Sequence, residues 1–365
     1  MNSLFIKSLN ISHFRSHKIS NFEFNSNPIV FFGKNGVGKT NILEAISLFS
    51  PGKGLKGSSR DDFVKMPDGI GWKIKTLLKK KNITHEISTF GDHNKNRTVF
   101  IDGKKSSQLE LGEVVRMLWI TPAMDRLFLE SSFFRRKFLD RLVLNFFPSH
   151  GKYSLKYNNA LKQRNMLLKD RSSDLSWFNS IEKQMVKFGY EIELARKKTI
   201  DMLNFEANQN ETKFISSKIS LISKNIFTKE IFEKSLNEGR RNEIFIGRTL
   251  VGPHKSDFEV IFNEKNMNAK NCSTGEQKTL LISILSSTVR AHIRYFDIAP
   301  ILLLDEISAH LDEKTRILFY EELSFLKVQA FLTGTDKIFF DSLLDKSQLF
   351  KIMQNENESF FEELS

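Results

Sequence analysis

The stretch PIVFFGKNGVGKTNILEAI, from Pro28 to Ile46, decides the fold of this chain. Within it, the β-favouring run from Ile29 to Phe32 passes through a glycine-rich segment into residues with the apolar spacing of a helix. The segment matches G-x-x-x-x-G-K-[ST], the pattern of the phosphate-binding P-loop. The residues that satisfy the pattern are Gly33, Gly38, Lys39 and Thr40. We therefore predict a strand, a phosphate-binding loop and a helix, in that order.

The residue types of this pattern suit the binding of a nucleotide. Glycines let backbone N–H groups approach phosphate oxygens because no Cβ stands in the way. Lys39 should reach the β- and γ-phosphates, and the Thr40 hydroxyl should ligate Mg²⁺. The loop predicted to bind ATP with Mg²⁺ consists of Gly33, Lys34, Asn35, Gly36, Val37, Gly38, Lys39 and Thr40.

A second motif lies in APILLLDEISAHLD, from Ala299 to Asp312. The apolar run from Ile301 to Leu304 predicts a buried strand, and two carboxylates follow at its end. Asp305 is placed to hold Mg²⁺ or its water, and Glu306 is placed to orient and polarise the water that attacks the γ-phosphate. Two acids at a strand end also begin loops or cap helices, but the P-loop favours the catalytic interpretation.

A third motif, NCSTGEQKTLLISIL, runs from Asn271 to Leu285. Ser273 and Glu276 form the pattern of a capping box, which by itself predicts only the start of a helix. With Gly275 they also resemble S-x-G-[QE], the signature of ABC-type ATPases. In that family the signature binds the γ-phosphate held by the opposite protomer, so the resemblance implies an ATP-dependent homodimer. The segment from Ser308 to Asp312 resembles the loop that contacts the partner in such dimers.

Most of the chain separates the P-loop from the signature, whereas transporter ATPase subunits carry these motifs close together. The intervening sequence has helical spacing, but it is too short for the long coiled coils of SMC proteins. Its apolar stripes consist of Phe134, Phe138, Leu142 and Phe146, and of Phe178, Ile181, Met185, Phe188, Ile192 and Ala195. The second stripe fits packing inside a lobe or, as the alternative, an intermolecular zipper.

These motifs predict an α/β fold with two lobes. The first lobe is an ABC-type ATPase head, a P-loop NTPase with a mixed sheet and helices, formed by residues 1–118 and 246–365. The second lobe is a helical insertion at residues 119–245. We find no Pro-rich linker or repeat in the sequence, so we expect the insertion to dock on the head.

Composition narrows the functional classes. The chain has 365 residues, 40% of them hydrophobic and 27% charged, as in ordinary soluble proteins. A single cysteine, Cys272, excludes an internal disulfide or a multi-cysteine zinc site. We see neither a signal peptide nor a membrane span, so we expect a cytoplasmic protein. The net charge of +12 favours a polyanionic partner such as nucleic acid, although a biased residue composition alone can produce it.

Shorter motifs along nearly the whole chain narrow the resemblance. They are FRSH at Phe14–His17, PGKGLKG at Pro51–Gly57, ITP at Ile120–Pro122, RRKFLDR at Arg135–Arg141, ALKQRN at Ala160–Asn165 and GPHKSDF at Gly252–Phe258. Together with GKNGVGKT, STGEQK and LLLDE, they resemble the RecF family of bacterial recombination and gap-repair ATPases. Several of these motifs have no role in other ABC proteins.

The resemblance implies an ATP-dependent DNA-binding protein whose heads dimerise when ATP is bound. Its implied ligands are single-stranded and gapped DNA and the junctions between single strand and duplex. Its implied partners are RecR, with RecO, in loading RecA onto gaps, with links to DNA replication and SOS induction. A weak, DNA-stimulated hydrolysis of ATP would act as a slow release switch. Such a protein would associate with the nucleoid and need no membrane partner.

Direct DNA contacts are predicted only in the basic loop after the P-loop helix. Lys53, Lys56 and Arg60 lie there among Gly and Ser residues, where flexible cations can meet phosphates. A solvated surface explains each of them equally well. No aromatic residues interleave a basic run, so we expect binding to the DNA backbone without regard to sequence.

Two departures from the ABC pattern bear on hydrolysis. Leu118 and Trp119 stand where many ABC proteins have a glutamine that senses Mg²⁺, and Thr333 and Thr335 stand in place of the switch histidine. Arg15 is a candidate for contacting the nucleotide, with a salt bridge as the alternative. Water activation is therefore expected to be weak, and whether the chain acts as an enzyme stays open. An SMC-like clamp with little hydrolysis and, less well supported, a transporter subunit remain as alternatives.

Overall fold

The computed structural model describes residues 4–59, 61–65, 69–92, 96–209, 214–223, 228–307, 311–356 and 358–364. It divides the chain into two compact units, Met1–Asp125 with Ser273–Ser365, and Arg126–Cys272. A discontinuous first unit with an inserted second unit is the arrangement that the motif spacing predicts. The return to the first unit, however, comes later than the predicted residue 246.

The late return has a structural reason. The segment after residue 246 forms strands β10 (Asp257–Phe262) and β11 (Met267–Asn268), and β10 pairs with β9 (Ser217–Ile222) inside the second unit. The order of this antiparallel sheet is β11-β10-β9. The insertion is therefore not helical throughout, because its helices are accompanied by a small sheet that the sequence analysis missed.

The first unit contains a largely parallel sheet in the order β15-β14-β3-β13-β12-β8. Its strands are β3 (Ile29–Phe32), β8 (Met117–Ile120), β12 (Ile301–Leu304), β13 (Ala330–Gly334), β14 (Gln348–Asn355) and β15 (Glu358–Leu364). Only β15 runs antiparallel to its neighbour. The residues of β3 and β12 are all buried, as expected for parallel strands covered on both faces. Both strands were predicted from their apolar runs, and both predictions are confirmed.

A second, antiparallel sheet in this unit has the order β2-β1-β4-β5-β6-β7. Its strands are β1 (Leu4–Phe14), β2 (His17–Glu23), β4 (Trp72–Lys80), β5 (Ile83–Gly91), β6 (Thr98–Ile101) and β7 (Lys104–Ser106). Side chains alternate between a buried and an exposed face along β4, which is typical of an antiparallel sheet with one face on the core.

Helix α1 (Lys39–Ser47) begins at the P-loop and contributes to one core with both sheets of the first unit. Ile42 and Ile46 are fully buried, as predicted from their spacing. Phe49 is also buried but lies just beyond the end of the helix. The other helices of this unit are α2 (Leu111–Val114), α7 (Thr274–Phe296) and α8 (Glu313–Phe325).

The second unit is built mainly from four helices, in the part of it that the structure describes. They are α3 (Ser132–Phe146), α4 (Ser149–Lys169), α5 (Leu175–Ala207) and α6 (Lys229–Ile246). The stripe predicted on α5 forms one core with α4 and α6, so packing within the lobe explains it. On α3, the prediction for Phe134 is wrong, because this ring is 50% exposed while Phe138 and Phe146 are buried.

A buried ion network joins three helices of the second unit. Arg164 on α4 is fully buried and donates to Glu182 of α5 at 2.9 Å and to Glu243 of α6 at 2.6 Å. It also donates to the hydroxyl of Thr249 and to the carbonyl oxygen of Leu236. Both carboxylates are buried as well, and Glu182 also pairs with Arg240, so removing Arg164 would leave the buried charge of Glu243 without its cation.

We predict that Arg164→Met lowers the free energy of unfolding by about 3–5 kcal/mol, because it breaks a buried ion pair from one side. Urea denaturation followed by circular dichroism measures this loss. Lys162→Ala, at an exposed position of the same helix, is the control and should change stability by less than about 0.5 kcal/mol. Equal stabilities of the two variants would show that the network does not hold the helices together.

Candidate nucleotide-binding site

The P-loop connects the end of β3 to the start of α1, so the central sheet fixes its position. Gly33 and Gly38 have positive φ angles of 148° and 100°. A Cβ atom on Gly33 would lie 2.2 Å from the carbonyl oxygen of Ile352, and one on Gly38 would lie 2.4 Å from Oγ of Ser359. Since Ile352 and Ser359 belong to β14 and β15, this hairpin leaves no room for a larger residue at either position.

Lys39 lies in the first turn of α1, and its side chain is largely buried. Its Nζ donates hydrogen bonds to the carbonyl oxygens of Gly33 at 2.6 Å and Lys34 at 2.8 Å. Burial lowers the pKa of the Lys39 ammonium, while the negative charges of Glu306 and Asp305 oppose that shift. The ammonium is thus held against the loop that the motif assigns to phosphate.

The two acids that follow β12 lie beside the P-loop. Thr40 Oγ1 donates to Oδ1 of Asp305 at 2.8 Å, although the two residues are far apart in the sequence. Thr333, on β13, donates from Oγ1 to the same Asp305 oxygen at 2.8 Å and accepts the backbone N–H of Glu306 at 2.9 Å. Parallel strands β3, β12 and β13 end at one edge of the sheet, which is where open α/β sheets bind their ligands.

Thr333 is the residue whose role the sequence analysis missed. The motifs place it only where ABC proteins have a switch histidine. In the structure its fully buried hydroxyl ties the Asp305 carboxylate to the backbone of Glu306. Glu306 has a φ of 50°, which is uncommon for a residue other than glycine, so this hydrogen bond helps to hold a strained turn. A threonine inside a fully buried strand is the signal that could have revealed it, because buried hydroxyls need partners.

The donor set fits ATP with Mg²⁺. Thr40 and Asp305 present oxygen atoms that touch at 2.8 Å, and these are the residues that would hold the cation. Magnesium takes one or two protein oxygens and completes its coordination with phosphates and water, so the site needs no larger cage. Within the described ranges, no group of three or more His, Cys, Asp or Glu side chains offers a separate metal site.

A further ion pair lies near the acids in the first unit. Lys278 of α7 and Asp125 approach to 3.0 Å and line a small pocket with Asp305 and Glu306. Asp125 lies in the loop that follows β8. The residues of β8 that stand where many ABC proteins have a glutamine are Leu118 and Trp119. Both residues are buried inside β8 itself. The pair therefore places a cation and an acid near Glu306 that the motifs did not predict.

The signature residues begin helix α7 as a complete capping box. The backbone N–H and the Oγ of Ser273 each donate to Glu276 Oε2 at 2.8 Å, and the N–H of Glu276 bonds Ser273 Oγ in return. Gly275 is exposed, and a Cβ atom added to it would meet no atom within 4 Å. Of the segment from Ser308 to Asp312, only Leu311 and Asp312 are among the described residues, and Asp312 caps α8.

The remaining residues that the sequence singled out differ in their contacts and exposure. Arg15 forms a two-bond ion pair with Glu44 of α1, at 2.7 and 2.8 Å, so the salt-bridge alternative describes it. Lys53 and Lys56 are exposed, as a DNA contact requires, and Arg60 lies outside the described residues. Thr335 is exposed, unlike Thr333.

Comparison with known proteins identifies the family. The family model described as RecF/RecN/SMC N terminal domain matches residues 5–359. A DNA replication and repair protein RecF from Rhizobium rhizogenes is 37% identical over 96% of this chain and 97% of its own length. This chain belongs to the RecF family.

Solved structures agree with the fold of RecF proteins. A structure of the recombination mediator protein RecF-ATPrS in the RecFOR pathway matches with a TM-score of 0.86 and 22% identity, over 100% of this chain and 99% of that one. An Smc head domain from Pyrococcus furiosus, bound to the C-terminal domain of ScpA, matches with a TM-score of 0.60 and 14% identity, over 99% and 96%. The ABC-type head predicted from the motifs is thus confirmed. No helix in the described ranges of this RecF-family chain is both long and apolar enough to cross a bilayer.

We predict that Thr333→Val, which keeps the side-chain volume, destabilises the nucleotide-free protein by about 1–3 kcal/mol. The variant leaves the partly buried N–H of Glu306 without its acceptor and removes a donor from Asp305. Thermal and urea denaturation measure the change, and Thr335→Val at the neighbouring exposed position is the control. A Thr333→Val protein as stable as this control would remove the hydroxyl from its positioning role.

Proposed function

We propose that this chain is an ATP-dependent DNA-binding protein of recombinational gap repair, in which bound nucleotide joins two heads. One observation supports the proposal: the P-loop contacts Asp305 of the acid pair, and the N-terminus of the signature helix α7 has space around it. Gly275 has free space around it, and Ser273 beside it is exposed at the start of a 23-residue helix. The N-terminus of such a helix attracts an anion through its dipole and free N–H groups. The γ-phosphate on the P-loop of a second copy is the anion of matching chemistry.

Hydrolysis in this proposal is a slow reset. Bound ATP with Mg²⁺ supplies the γ-phosphate on which charge develops during transfer to water. Glu306 would orient the attacking water, and the Thr333 hydroxyl holds the Glu306 backbone in place. Lys39 would place its positive charge on the phosphates. A threonine in place of a histidine offers no group that titrates near neutral pH, which supports weak activity.

The proposed ligand is single-stranded or gapped DNA and its junctions with duplex. The basic composition and the exposed Lys53 and Lys56 support backbone contacts near the nucleotide site, with Arg60 as a further proposed contact. RecR, RecO and RecA are the proposed partners, as the family resemblance implies, and one matching structure is described as a recombination mediator in the RecFOR pathway. A role in DNA replication is proposed from the names of the RecF relatives, and a role in SOS induction from the family resemblance alone.

Glu306→Gln tests whether ATP hydrolysis resets the ATP-bound dimer. It keeps the shape of the side chain but removes the charge that would activate water, so we predict ATP turnover at least about 100-fold lower than that of the wild type. The variant should accumulate ATP-bound dimers on DNA, measured by phosphate release and by sedimentation with labelled DNA. Unchanged turnover would exclude Glu306 as the activating residue and would favour an SMC-like clamp with ATP used for dimerisation only.

Gly275→Asp tests the composite site. A carboxylate near the N-terminus of α7 favours the helix dipole, so the stability of the monomer should be unchanged or higher by about 0.3–1 kcal/mol. The same charge repels a γ-phosphate, so dimerisation in ATP should weaken at least about tenfold while ATP binding by the monomer is kept. Analytical ultracentrifugation and isothermal titration with a non-hydrolysable analogue measure the two properties. Lys39→Ala is the control that should lose both ATP binding and dimerisation. If Gly275→Asp dimerises with ATP as strongly as the wild type, the composite site is refuted.

A further inference from the structure

The antiparallel sheet of the first unit has an unusual charge balance. Strands β1, β4, β5, β6 and β7 contain seven lysines, no arginine and a single acid, Glu86. The lysines are Lys7, Lys73, Lys75, Lys79, Lys80, Lys104 and Lys105. The remaining strand of the sheet, β2, adds one lysine, Lys18, and one acid, Glu23, so the sheet as a whole is basic and suits a polyanionic ligand.

Strand register places aromatic rings among these lysines on the face that points away from the core. Ile74, Thr89 and Val99 point into the core, so their neighbours along each strand point outward. On the outward face Lys73 lies opposite Phe90, and Lys105 lies opposite Phe100. The sequence shows no such interleaving because each lysine and its ring belong to different strands.

The two rings form a pair that solvent can reach. Phe90 and Phe100 stack with their centroids 5.8 Å apart and their planes at 17°. Phe90 is 38% exposed, and Phe100 is partly exposed. Further along the same face, the ammonium of Lys79 lies 5.9 Å from the ring of Phe5. An exposed apolar pair of this kind is suited to contact with a ligand, and the charges around it select what that ligand can be.

We propose that this face, defined by Lys73, Phe90, Phe100 and Lys105, binds single-stranded DNA, with unpaired bases stacked on the rings and phosphates held by the lysines. The inference rests on the proposed DNA binding and assigns a surface to it. Exposed sheet aromatics bordered by cations are suited to unstacked bases, because every base presents a π-face to a ring. A duplex keeps its bases stacked internally and can offer this face only its phosphates.

Charge complementarity makes nucleic acid the fitting occupant. Lys75 is neutralised by Glu86 at 2.8 Å, but neither Lys73 nor Lys105 has an acidic partner in the described part of the chain. Two free cations beside two rings leave a face that is both positive and apolar. An apolar protein surface would have to bury those ammonium groups without compensation, which is costly.

Fluorescence anisotropy with labelled oligo(dT) and a duplex of equal length, using the full chain with ATP, tests the proposal. Phe90→Ala with Phe100→Ala should weaken oligo(dT) binding about tenfold or more and change duplex binding less than about twofold. Phe90→Trp should keep the affinity, because it keeps a stacking ring. Phe245→Ala, which removes a ring that is 84% exposed in the second unit, is the control for the loss of any exposed phenylalanine.

Substitution of the two lysines provides an independent test of the proposed surface. Lys73→Ala with Lys105→Ala should reduce the slope of log affinity against log salt by about 1.4 for oligo(dT), since each lost phosphate contact on a single strand contributes about 0.7. An unchanged Kd for oligo(dT) in the double phenylalanine variant, or an equal loss for duplex, overturns the stacking surface. If the wild type binds no DNA in any nucleotide state, the proposed function fails instead, so the two failures are distinguishable.

Discussion

The hydrogen bond between Thr40 and Asp305 is the contact on which the site depends. It joins the first helix of the chain to the end of β12, a strand that follows the whole second unit in the sequence. The bond exists because β3, β13 and β12 are neighbours in one parallel sheet and end at the same edge. A nucleotide site of this kind cannot form from either end of the chain alone, because it needs both segments of the first unit.

Several elements of the first unit could be predicted from the sequence because their local residue preferences agree with the tertiary structure. The apolar runs at β3 and β12 became buried strands, and the capping box at Ser273 became the start of α7. The P-loop glycines face the β14–β15 hairpin, which explains physically why glycine stands there. These signals are local, and a single sequence contains them in full.

Other features depend on contacts between distant segments, which one sequence does not show. The small sheet of β9, β10 and β11 extends the insertion beyond its predicted end because its strands pair across a long helix-containing connection. Phe134 has the right spacing for the core, yet α3 presents it to solvent. Thr333 looks like one more residue of a β-strand until its hydroxyl is seen between Asp305 and Glu306. The rings and lysines of the basic sheet face meet only through strand register.

The antiparallel sheet and the nucleotide loop are physically connected. Arg15, in the turn between β1 and β2, forms an ion pair with Glu44 of α1, and His17 contacts the carbonyl oxygen of Gly38 at 3.2 Å. Burial lowers the pKa of His17 to about 4, so the imidazole stays neutral behind the P-loop at physiological pH. The antiparallel sheet therefore contacts the P-loop and its helix directly through Arg15 and His17.

The most direct test of a site shared between two copies mixes two defective proteins. Lys39→Ala lacks a working P-loop, Gly275→Asp lacks a working signature, and neither should dimerise with ATP. Their heterodimer contains one intact site, formed by the P-loop of one copy and the signature of the other. Sedimentation of the mixture with a non-hydrolysable analogue should therefore show dimers that each variant alone does not form. A mixture that stays monomeric at concentrations where the wild type is fully dimeric would contradict the account.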